Sequence, residues 1–288
     1  MDIEFVGAAR EVTGSCHILR AAGRTVLLDC GLYQGRRRDA DEKNRTLPCP
    51  VADIDAVVLS HAHLDHSGRL PFLTSRGYQN PIHATRGTAD LTAIMLADSA
   101  HIQESDFEFL SRHGRAVEAP LYVLRDAARV EPLMQGHGYG DWFEVCPDIR
   151  ARFTDAGHIL GSASIVIECV EGLETKRVIF SGDIGRAGLP IIRDPDPPSD
   201  AADQVILEST YGNRDHDSVA GARDSLARVV RAASARGGRI LIPAFAVGRT
   251  QEIIYDLHVL TLAGAIPPIP IIIDSPLATA ATQVFERN

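Results

Sequence analysis

Short runs of β-branched and aliphatic residues alternate with turns in the first third of the chain. They read IEFVG, CHILRA, TVLLDCG and AVVLSHAH, and each is about as long as a strand and ends at glycine, aspartate or a histidine-rich turn. This pattern predicts four strands, with antiparallel hairpins early in the chain. Later runs of the same kind, ARFTDAGH, SIVIECV, KRVIFSGD and VILESTYG, predict a second group of strands.

The spacing of apolar residues becomes helical over residues 88–113. Leu91, Met95 and Ile102 fall on one stripe of this segment, which lacks glycine and proline. Shorter helices are predicted over 125–134, 220–235 and 248–262, and two strands, RILIPAF and PIPIIIDSP, flank the last of these helices. Such an alternation of strand and helix is typical of a parallel sheet. The stretch RDPDPPSDAAD before it is predicted to be a linker.

The composition narrows the class of protein. Of the 288 residues, 45% are hydrophobic and 23% are charged, which is typical of a globular protein and not of a disordered or coiled-coil chain. No run approaches the roughly 18 apolar residues that a membrane-spanning helix needs, and the N-terminus lacks the layout of a secretory signal. We therefore expect a cytoplasmic protein. Five scattered cysteines, none in a C-x-x-C pair, argue against disulfides and against a thiolate zinc site.

The net charge limits the modes of nucleic-acid binding. The 29 Lys and Arg residues are outnumbered by 38 Asp and Glu residues, which gives a formal charge of −9. Phosphate contacts need local positive charge, so this balance opposes indiscriminate binding to a polyanion. Any nucleic-acid role must rest on a concentrated site.

The motif SHAHLDHSG carries the strongest chemical signal in the chain. It places His61, His63, Asp65 and His66 directly after the apolar strand AVVLS. Imidazole and carboxylate groups suit zinc and related divalent metals, and alternate residues of an extended backbone point to the same side. The other interpretation is a polar turn with satisfied histidines, but chance rarely supplies H-x-H-x-D-H. The motif therefore predicts a metal site.

One turn cannot complete the coordination of two ions, so further ligands are expected at other strand ends. His158 in DAGHILGSAS and Asp183 in IFSGDIG are the two candidates, since each lies in a glycine-flanked turn beside an apolar strand. Alone, either residue is more often a turn former than a ligand. Beside the first motif, both are predicted ligands.

These motifs resemble the metallo-β-lactamase superfamily and, within it, the β-CASP branch of RNA-processing nucleases. The superfamily pattern covers Asp29, the H-x-H-x-D-H run, His158 and Asp183, whereas the branch is indicated by ESTYG, IPAFAVGRTQE and DSPLA. The resemblance extends along nearly the whole chain. It implies an α/β fold, the metallo-β-lactamase αβ/βα sandwich over 1–208, and the start of an inserted β-CASP α/β domain over 209–288.

The resemblance also implies a role for each motif residue, with two zinc ions as cofactors. The first zinc would be bound by His61, His63 and His158. The second would be bound by Asp65 and His66, and Asp183 would bridge both. Asp29 would orient the ligand loop by hydrogen bonding.

Glu208 matches the acidic residue of the branch's first signature, which is implicated in protonating the leaving group. Asp65, Asp183 and Glu208 are thus the predicted catalytic carboxylates. For Asp29 and Glu208 the alternative interpretations are a strand-end turn former and a surface acid.

Two further histidines of the family pattern match nothing in this chain and would lie beyond Asn288. We therefore expect a family member cut short, with weaker metal binding at the second site than at the first. Three other histidines, His83, His216 and His258, are predicted to be packing or surface residues.

RNA is the partner and substrate that the resemblance implies, as for a ribonuclease of endonuclease or exonuclease type. Arg249 is a predicted phosphate contact, the turn with Ser162 and Ser164 is a weaker one, and the basic run at Arg36, Arg37 and Arg38 is more consistent with a solvated loop. Two alternatives stay open: a hydrolase of a small ester, thioester or lactam, and a non-catalytic scaffold subunit. We also expect that this chain can form a homodimer through the apolar strand PIPIIID.

Overall fold

The protein was analysed as a computed structural model, which describes residues 1–115, 118–215 and 221–288. The first of its two sheets contains six strands, which in order across the sheet are β1 (Asp2–Phe5), β2 (His17–Ala21), β3 (Arg24–Leu28), β4 (Ala56–Val58), β5 (Ile82–Thr85) and β6 (Met134–His137). The first three strands pair antiparallel and the rest pair parallel. The early hairpins predicted from the sequence are confirmed.

The second sheet contains five strands and follows the first along the chain. Its strands are β7 (Trp142–Cys146), β8 (Ile149–Asp155), β9 (Ala163–Glu171), β10 (Glu174–Phe180) and β11 (Gln204–Ile206). All neighbours pair antiparallel except β10 and β11, which are parallel. The second group of strands predicted from the sequence is confirmed, although the pattern missed β5, β6 and β7.

Eight α-helices complete the described part of the chain: α1 (Arg37–Arg45), α2 (Leu64–Ser67), α3 (Leu70–Ser75), α4 (Arg86–Arg112), α5 (Leu124–Ala127), α6 (Ala222–Ala235), α7 (Arg249–Leu262) and α8 (Pro276–Arg287). The predicted helices over 88–113, 220–235 and 248–262 correspond to α4, α6 and α7. Among the described residues, no helix is both long and apolar enough to cross a membrane.

The predicted helix over 125–134 is wrong. Helix α5 stops at Ala127, a single 3₁₀ turn covers Glu131–Leu133, and Met134 then begins β6. The reason is tertiary: β6 pairs in parallel with β5 along its whole length, and this ladder overrides a weak local preference.

Two apolar layers hold the sheets in place. Side chains such as Leu28 and Val58 of the first sheet pack between the sheets against Phe153 and Ile165 of the second. The opposite face of the first sheet, with Leu27, packs under the helices. Because β3 and β4 are buried on both faces, they read as unbroken apolar runs in the sequence. Each fully buried aliphatic side chain contributes about 1.5–3 kcal/mol.

The C-terminal helices pack in two places. Helices α6 and α7 share a small apolar cluster that includes Val230 and Leu257. Helix α8 packs on α4, where Val284 lies in one cluster with Leu91. The predicted division between 1–208 and 209–288 stays a prediction.

The two strands predicted around α7 are not formed in the described structure. Residues 239–245 and 268–275 carry no β-ladder there, and Leu241, Phe245 and Ile272 are 85–94% exposed. A strand requires a hydrogen-bonded neighbour, and an apolar run alone does not specify one. The parallel sheet expected in this part of the chain is therefore corrected to two segments that form no β-ladder with the described residues.

Candidate metal centre

The polar motif residues lie at one end of the two-sheet sandwich, where strands of both sheets end. Asp29 follows β3, and His61 follows β4. From the second sheet, His158 follows β8 and Asp183 follows β10. The sandwich thus brings together side chains that are distant in the sequence.

Four of these side chains converge on one point. His61 Nε2 and His158 Nε2 each lie 3.1 Å from His63 Nδ1. Asp183 Oδ2 lies 3.8 Å from His61 Nε2 and 3.6 Å from His158 Nε2. One ligand atom from each of the four residues lies within 4.8 Å of the other three. In tetrahedral zinc sites with bonds of about 2.0–2.1 Å, ligand atoms are about 3.3 Å apart, so this donor set fits such an ion.

A second group of donors lies on the other side of Asp183. Asp183 Oδ1 is 3.2 Å from His66 Nε2, and Asp183 Oδ2 faces the first group. The Asp183 carboxylate therefore lies between the two groups of donors. Asp65 is half-buried on the same helical turn as His66, in α2. This arrangement brings five of the six predicted ligands together, and Asp65 precedes one of them, His66, in the chain. Their assignment to particular ions stays a prediction.

The imidazoles of the first group are held neutral. Burial, together with the neighbouring histidines, lowers the pKa of His61 well below its ordinary value and that of His63 to about 3. Burial also lowers the pKa of His158. A neutral imidazole has a free lone pair, which is the form that binds a metal.

His66 and Asp183 form an ion pair. Burial lowers the pKa of His66, but the carboxylates of Asp29 and Asp183 outweigh it and raise the value to about 10. Burial raises the pKa of Asp183, but the hydrogen bond and charge of His66 lower it to about 2. The pKa of Asp65 is raised by burial and by the charge of Asp183. A cation between these acids would offset the same charges.

Asp29 organises the base of the cluster. It is fully buried, and its carboxylate lies 2.7 Å from His66 Nδ1 and accepts hydrogen bonds from Ser15 Oγ at 3.0 Å, Ser60 Oγ at 2.9 Å and Ser60 N at 2.7 Å. Its backbone is left-handed, with φ of 61°, which aspartate tolerates better than most residues. These contacts are those expected of a residue that orients a ligand, as the resemblance implies.

Glycines allow the ligand loops to touch through their backbones. A Cβ at Gly31 would lie 1.7 Å from the carbonyl oxygen of Asp65, and one at Gly185 would lie 1.6 Å from that of Gly157. Since Gly157 precedes His158 and Gly185 lies two residues after Asp183, the second contact joins two ligand loops directly.

Helix α4 fixes the loop that carries His158. The carbonyl oxygen of Gly161 accepts hydrogen bonds from Thr85 Oγ1 at 2.5 Å and from Thr88 Oγ1 at 2.8 Å. Within the loop, Ser162 Oγ accepts the backbone N–H of His158 at 3.0 Å. The start of α4 thereby holds the loop that carries His158 in place.

The serines of this loop do not contact solvent as a phosphate site would require. Ser162 is fully buried and bonds the loop backbone, and Ser164 is 6% exposed and donates to Ser181 O at 2.9 Å. The backbone N–H groups of Ser162 and Ala163 also have partners, Ile159 O and Ser60 O. Their predicted substrate contact is therefore corrected to a role in supporting the loop.

The other predicted residues differ in their burial and in their partners. Glu208 is half-buried, and its N–H donates to Ser181 Oγ at 3.0 Å. Burial lowers the pKa of His158, and the charge of Glu208 offsets a small part of this lowering. Arg249 begins α7, is 55% exposed and pairs with Glu252 at 2.7 Å. The side chains of Arg37 and Arg38, and all of His216, lie outside the described residues. His83 is buried and His258 is exposed, as predicted.

Ser60 and the closely packed glycines were missed in the sequence. Ser60 directly precedes His61 at the strand end, and Gly31 and Gly185 belong to the short strings CGLYQG and GDIG beside predicted site residues. Their positions next to the motifs could have indicated a role at the site. Position in the sequence does not reveal which atoms such a residue contacts.

The fold and this cluster agree with the family comparison. The model of the metallo-β-lactamase superfamily matches residues 9–233, which is most of the chain, and the chain belongs to that superfamily. A His and Asp cluster in this family supports a bound divalent metal. The α/β fold class and the resemblance to the superfamily are thus confirmed.

Curated relatives narrow the comparison. Ribonuclease TTHA0252 of Thermus thermophilus is 37% identical over 100% of this chain and 61% of its own length. Transcription termination factor FttA of Methanothermobacter thermautotrophicus is 32% identical over 93% of this chain and 41% of its own length. An RNase J-like protein of Methanocaldococcus jannaschii is 30% identical over 98% of this chain and 60% of its own length. These similarities are consistent with the β-CASP branch, and the chain spans 41–61% of the length of these three relatives.

A solved structure supports the fold alone. A protein of unknown function from Enterococcus faecalis V583 superposes with a TM-score of 0.60 at 15% identity, covering 99% of this chain and 67% of that chain.

Proposed function

We propose that this chain is the zinc-dependent catalytic part of a β-CASP ribonuclease, which hydrolyses RNA phosphodiesters. The convergence of His61, His63, His158 and Asp183 carries the proposal, because these donors fit a divalent metal. The relatives named as ribonucleases supply the substrate class.

We assign two zinc ions to the cluster. His61, His63 and His158 would hold the first and Asp65 and His66 the second, with the two oxygens of Asp183 facing one each. Paired metals of this kind supply an activated water and offset the charge of the phosphate. With fewer protein ligands, the second site is expected to bind more weakly than the first.

The protein's own groups position the reactants. Asp29 holds His66 by a hydrogen bond, and the neutral imidazoles of His61 and His63 keep their lone pairs free. Glu208 lies within electrostatic reach of His158, on the side that we assign to the leaving group, where it would direct a proton to the departing oxygen.

RNA would reach this cluster despite the net charge of −9. Acids bound to metal no longer repel a phosphate, and Arg249 offers an exposed cation on a helix that begins near the cluster. Val247, two residues before Arg249, packs in one apolar group with Ile159, the neighbour of His158. This contact supports the assignment of Arg249 as a phosphate contact.

We also propose the domain division at 208 and 209 and a homodimer through the apolar segment PIPIIID, residues 268–274. The separate cluster between α6 and α7 supports the first proposal. The exposure of Ile272 supports the second.

The test is cleavage of labelled RNA by zinc-loaded protein, with a chromogenic lactam as the competing substrate. We expect RNA cleavage that falls by at least about 100-fold in Asp183→Asn and Glu208→Gln. Glu174→Gln, on an exposed strand position, should match the wild type. Turnover of the lactam without RNA cleavage, by this chain and by a longer version alike, would overturn the proposal.

A further inference from the structure

Ser60 lies at the centre of the hydrogen bonds that support the cluster of candidate metal ligands. Its Oγ is 2.9 Å from Asp29 Oδ2 and 3.1 Å from His61 Nδ1, and its N–H donates to Asp29 Oδ1 at 2.7 Å. The carbonyl oxygen accepts the N–H of Ala163 at 2.9 Å, so the backbone is tied to the second sheet as well. Ser60 is fully buried, and its hydroxyl is held in one place.

The Ser60 hydroxyl also lies 3.4 Å from His66 Nδ1, but that nitrogen is closer to Asp29, at 2.7 Å. The chemistry of the groups fixes the direction of the two shorter hydroxyl contacts. An ionised carboxylate only accepts hydrogen bonds, so the single hydrogen of the Ser60 hydroxyl points to Asp29. The lone pairs of Oγ then face His61 Nδ1, which must be the donor. This places the ring hydrogen of His61 on Nδ1 and leaves Nε2 without one.

Nε2 is the atom of His61 that faces the other donors. It lies 3.1 Å from His63 Nδ1 and 3.8 Å from Asp183 Oδ2. A histidine that binds a metal through Nε2 needs its hydrogen on Nδ1 and an acceptor for that hydrogen. Ser60 Oγ lies where this acceptor is needed.

We infer that Ser60 is a positioning residue, which relays the orienting effect of Asp29 to His61 and fixes the tautomer whose Nε2 can bind metal. The inference rests on the proposed metal centre. Asp29 would then orient two histidines on opposite sides of Asp183, His66 by direct contact at 2.7 Å and His61 through Ser60. Ser60 would therefore couple the orientation of His61 to the same carboxylate that orients His66.

The test combines a tautomer measurement with a binding measurement. Long-range ¹H–¹⁵N spectra of metal-free protein with ¹⁵N-labelled histidine report which ring nitrogen carries the hydrogen, and loss of one signal in His61→Asn assigns it. Zinc titration by calorimetry reports affinity. Ser99→Ala is the matched control, because its buried hydroxyl bonds Tyr122 and lies outside the cluster.

We expect the Nδ1–H tautomer of His61 in the wild type and in Ser99→Ala. In Ser60→Ala the population should shift toward Nε2–H, and zinc affinity should fall by about 10–100-fold. If Ser60→Ala folds poorly, Ser60→Cys is the second variant: it keeps a side chain of similar shape but offers a weaker acceptor, and it should change both readouts in the same direction.

Each outcome decides the inference. An Nε2–H wild type would overturn it, and so would variants that keep the wild-type tautomer or the wild-type zinc affinity. Loss of affinity without a change of tautomer would also overturn it, since that result indicates packing. A wild type that binds no zinc would refute the proposed metal centre, whereas the tautomer of the metal-free variants would still decide the role of Ser60.

Discussion

Replacement of Gly185 by alanine tests whether the backbone contact between two ligand loops holds the metal site together. Gly185 lies two residues after Asp183, and its N–H donates to Ala156 O at 2.8 Å. An added Cβ would lie 1.6 Å from the carbonyl oxygen of Gly157, which precedes His158. Real Cβ atoms essentially never approach closer than 3.0 Å, so the loops must separate by about 1.4 Å.

This displacement is large compared with the tolerance of a metal site. Ligand distances in a formed site hold to within about 0.2 Å. Asp183 Oδ2 and His158 Nε2 are 3.6 Å apart, and both would have to follow their loops. We expect zinc affinity to fall by about 100-fold, near the upper end for changes in residues that support ligands. Overpacking should also lower the free energy of unfolding of the metal-free protein by about 1–3 kcal/mol.

Calorimetric zinc titration of metal-stripped protein and denaturant unfolding in chelator measure the two effects. Gly138→Ala is the control. Neither Gly138 nor Gly185 has a positive φ, so alanine strains neither backbone, and a Cβ at Gly138 would meet nothing closer than Asp141 Oδ2 at 3.9 Å. The same zinc affinity in Gly185→Ala and Gly138→Ala would refute the argument that this contact sets the ligand geometry.

Three further predictions concern the metal, a buried acid and a buried histidine. Free zinc at about 1,000 times its dissociation constant should stabilise the fold by about 4 kcal/mol, which is measured as a rise in the melting temperature. His63→Ala should lose most of this gain. An equal rise in the wild type and in His63→Ala would count against His63 as a ligand. Glu168 is 3% exposed and pairs with Arg150 and Arg177. Glu168→Ala should lower the free energy of unfolding by about 1–3 kcal/mol in denaturant titrations, a figure kept small because both arginines reach solvent. The control Glu174→Ala, at an exposed position, should lower it by about 0–0.5 kcal/mol, and equal losses in the two variants would contradict the role of burial. Burial and His137 lower the pKa of His83 to about 4. The unfolded chain therefore binds the proton first, and up to about 3 kcal/mol of stability should be lost as the pH falls from about 6.5 to 4. His83→Phe should flatten this part of the stability curve measured in chelator, and an unchanged slope would refute the assignment.

The sequence was most informative where a residue's role depends on its neighbours in the chain. The run from His61 to His66 follows a buried strand, and both its chemistry and its position at a strand end could be predicted from local pattern. His158 and Asp183 were predicted only because the first motif required partners. Their approach to within 3.6 Å depends on how β8 and β10 are placed in the second sheet.

Local pattern failed where the outcome depends on a partner. Residues 125–134 have helical spacing, yet Met134 begins a strand because β5 lies beside it. Residues 239–245 have the composition of a strand, yet no ladder forms there in the described structure. In both cases the residues are compatible with more than one conformation, and hydrogen bonds to another segment decide between them.

The amino-acid sequence by itself determined the donor types, the apolar strands that lead to them and the superfamily. Tertiary structure alone decided that Gly185 touches Gly157, that Asp29 reaches both Ser60 and His66, and that Ser162 is buried. The physical reason is range: side-chain chemistry and strand period are properties of a short stretch of chain. Contacts of 3 Å or less between loops are set by the packing of two whole sheets against each other.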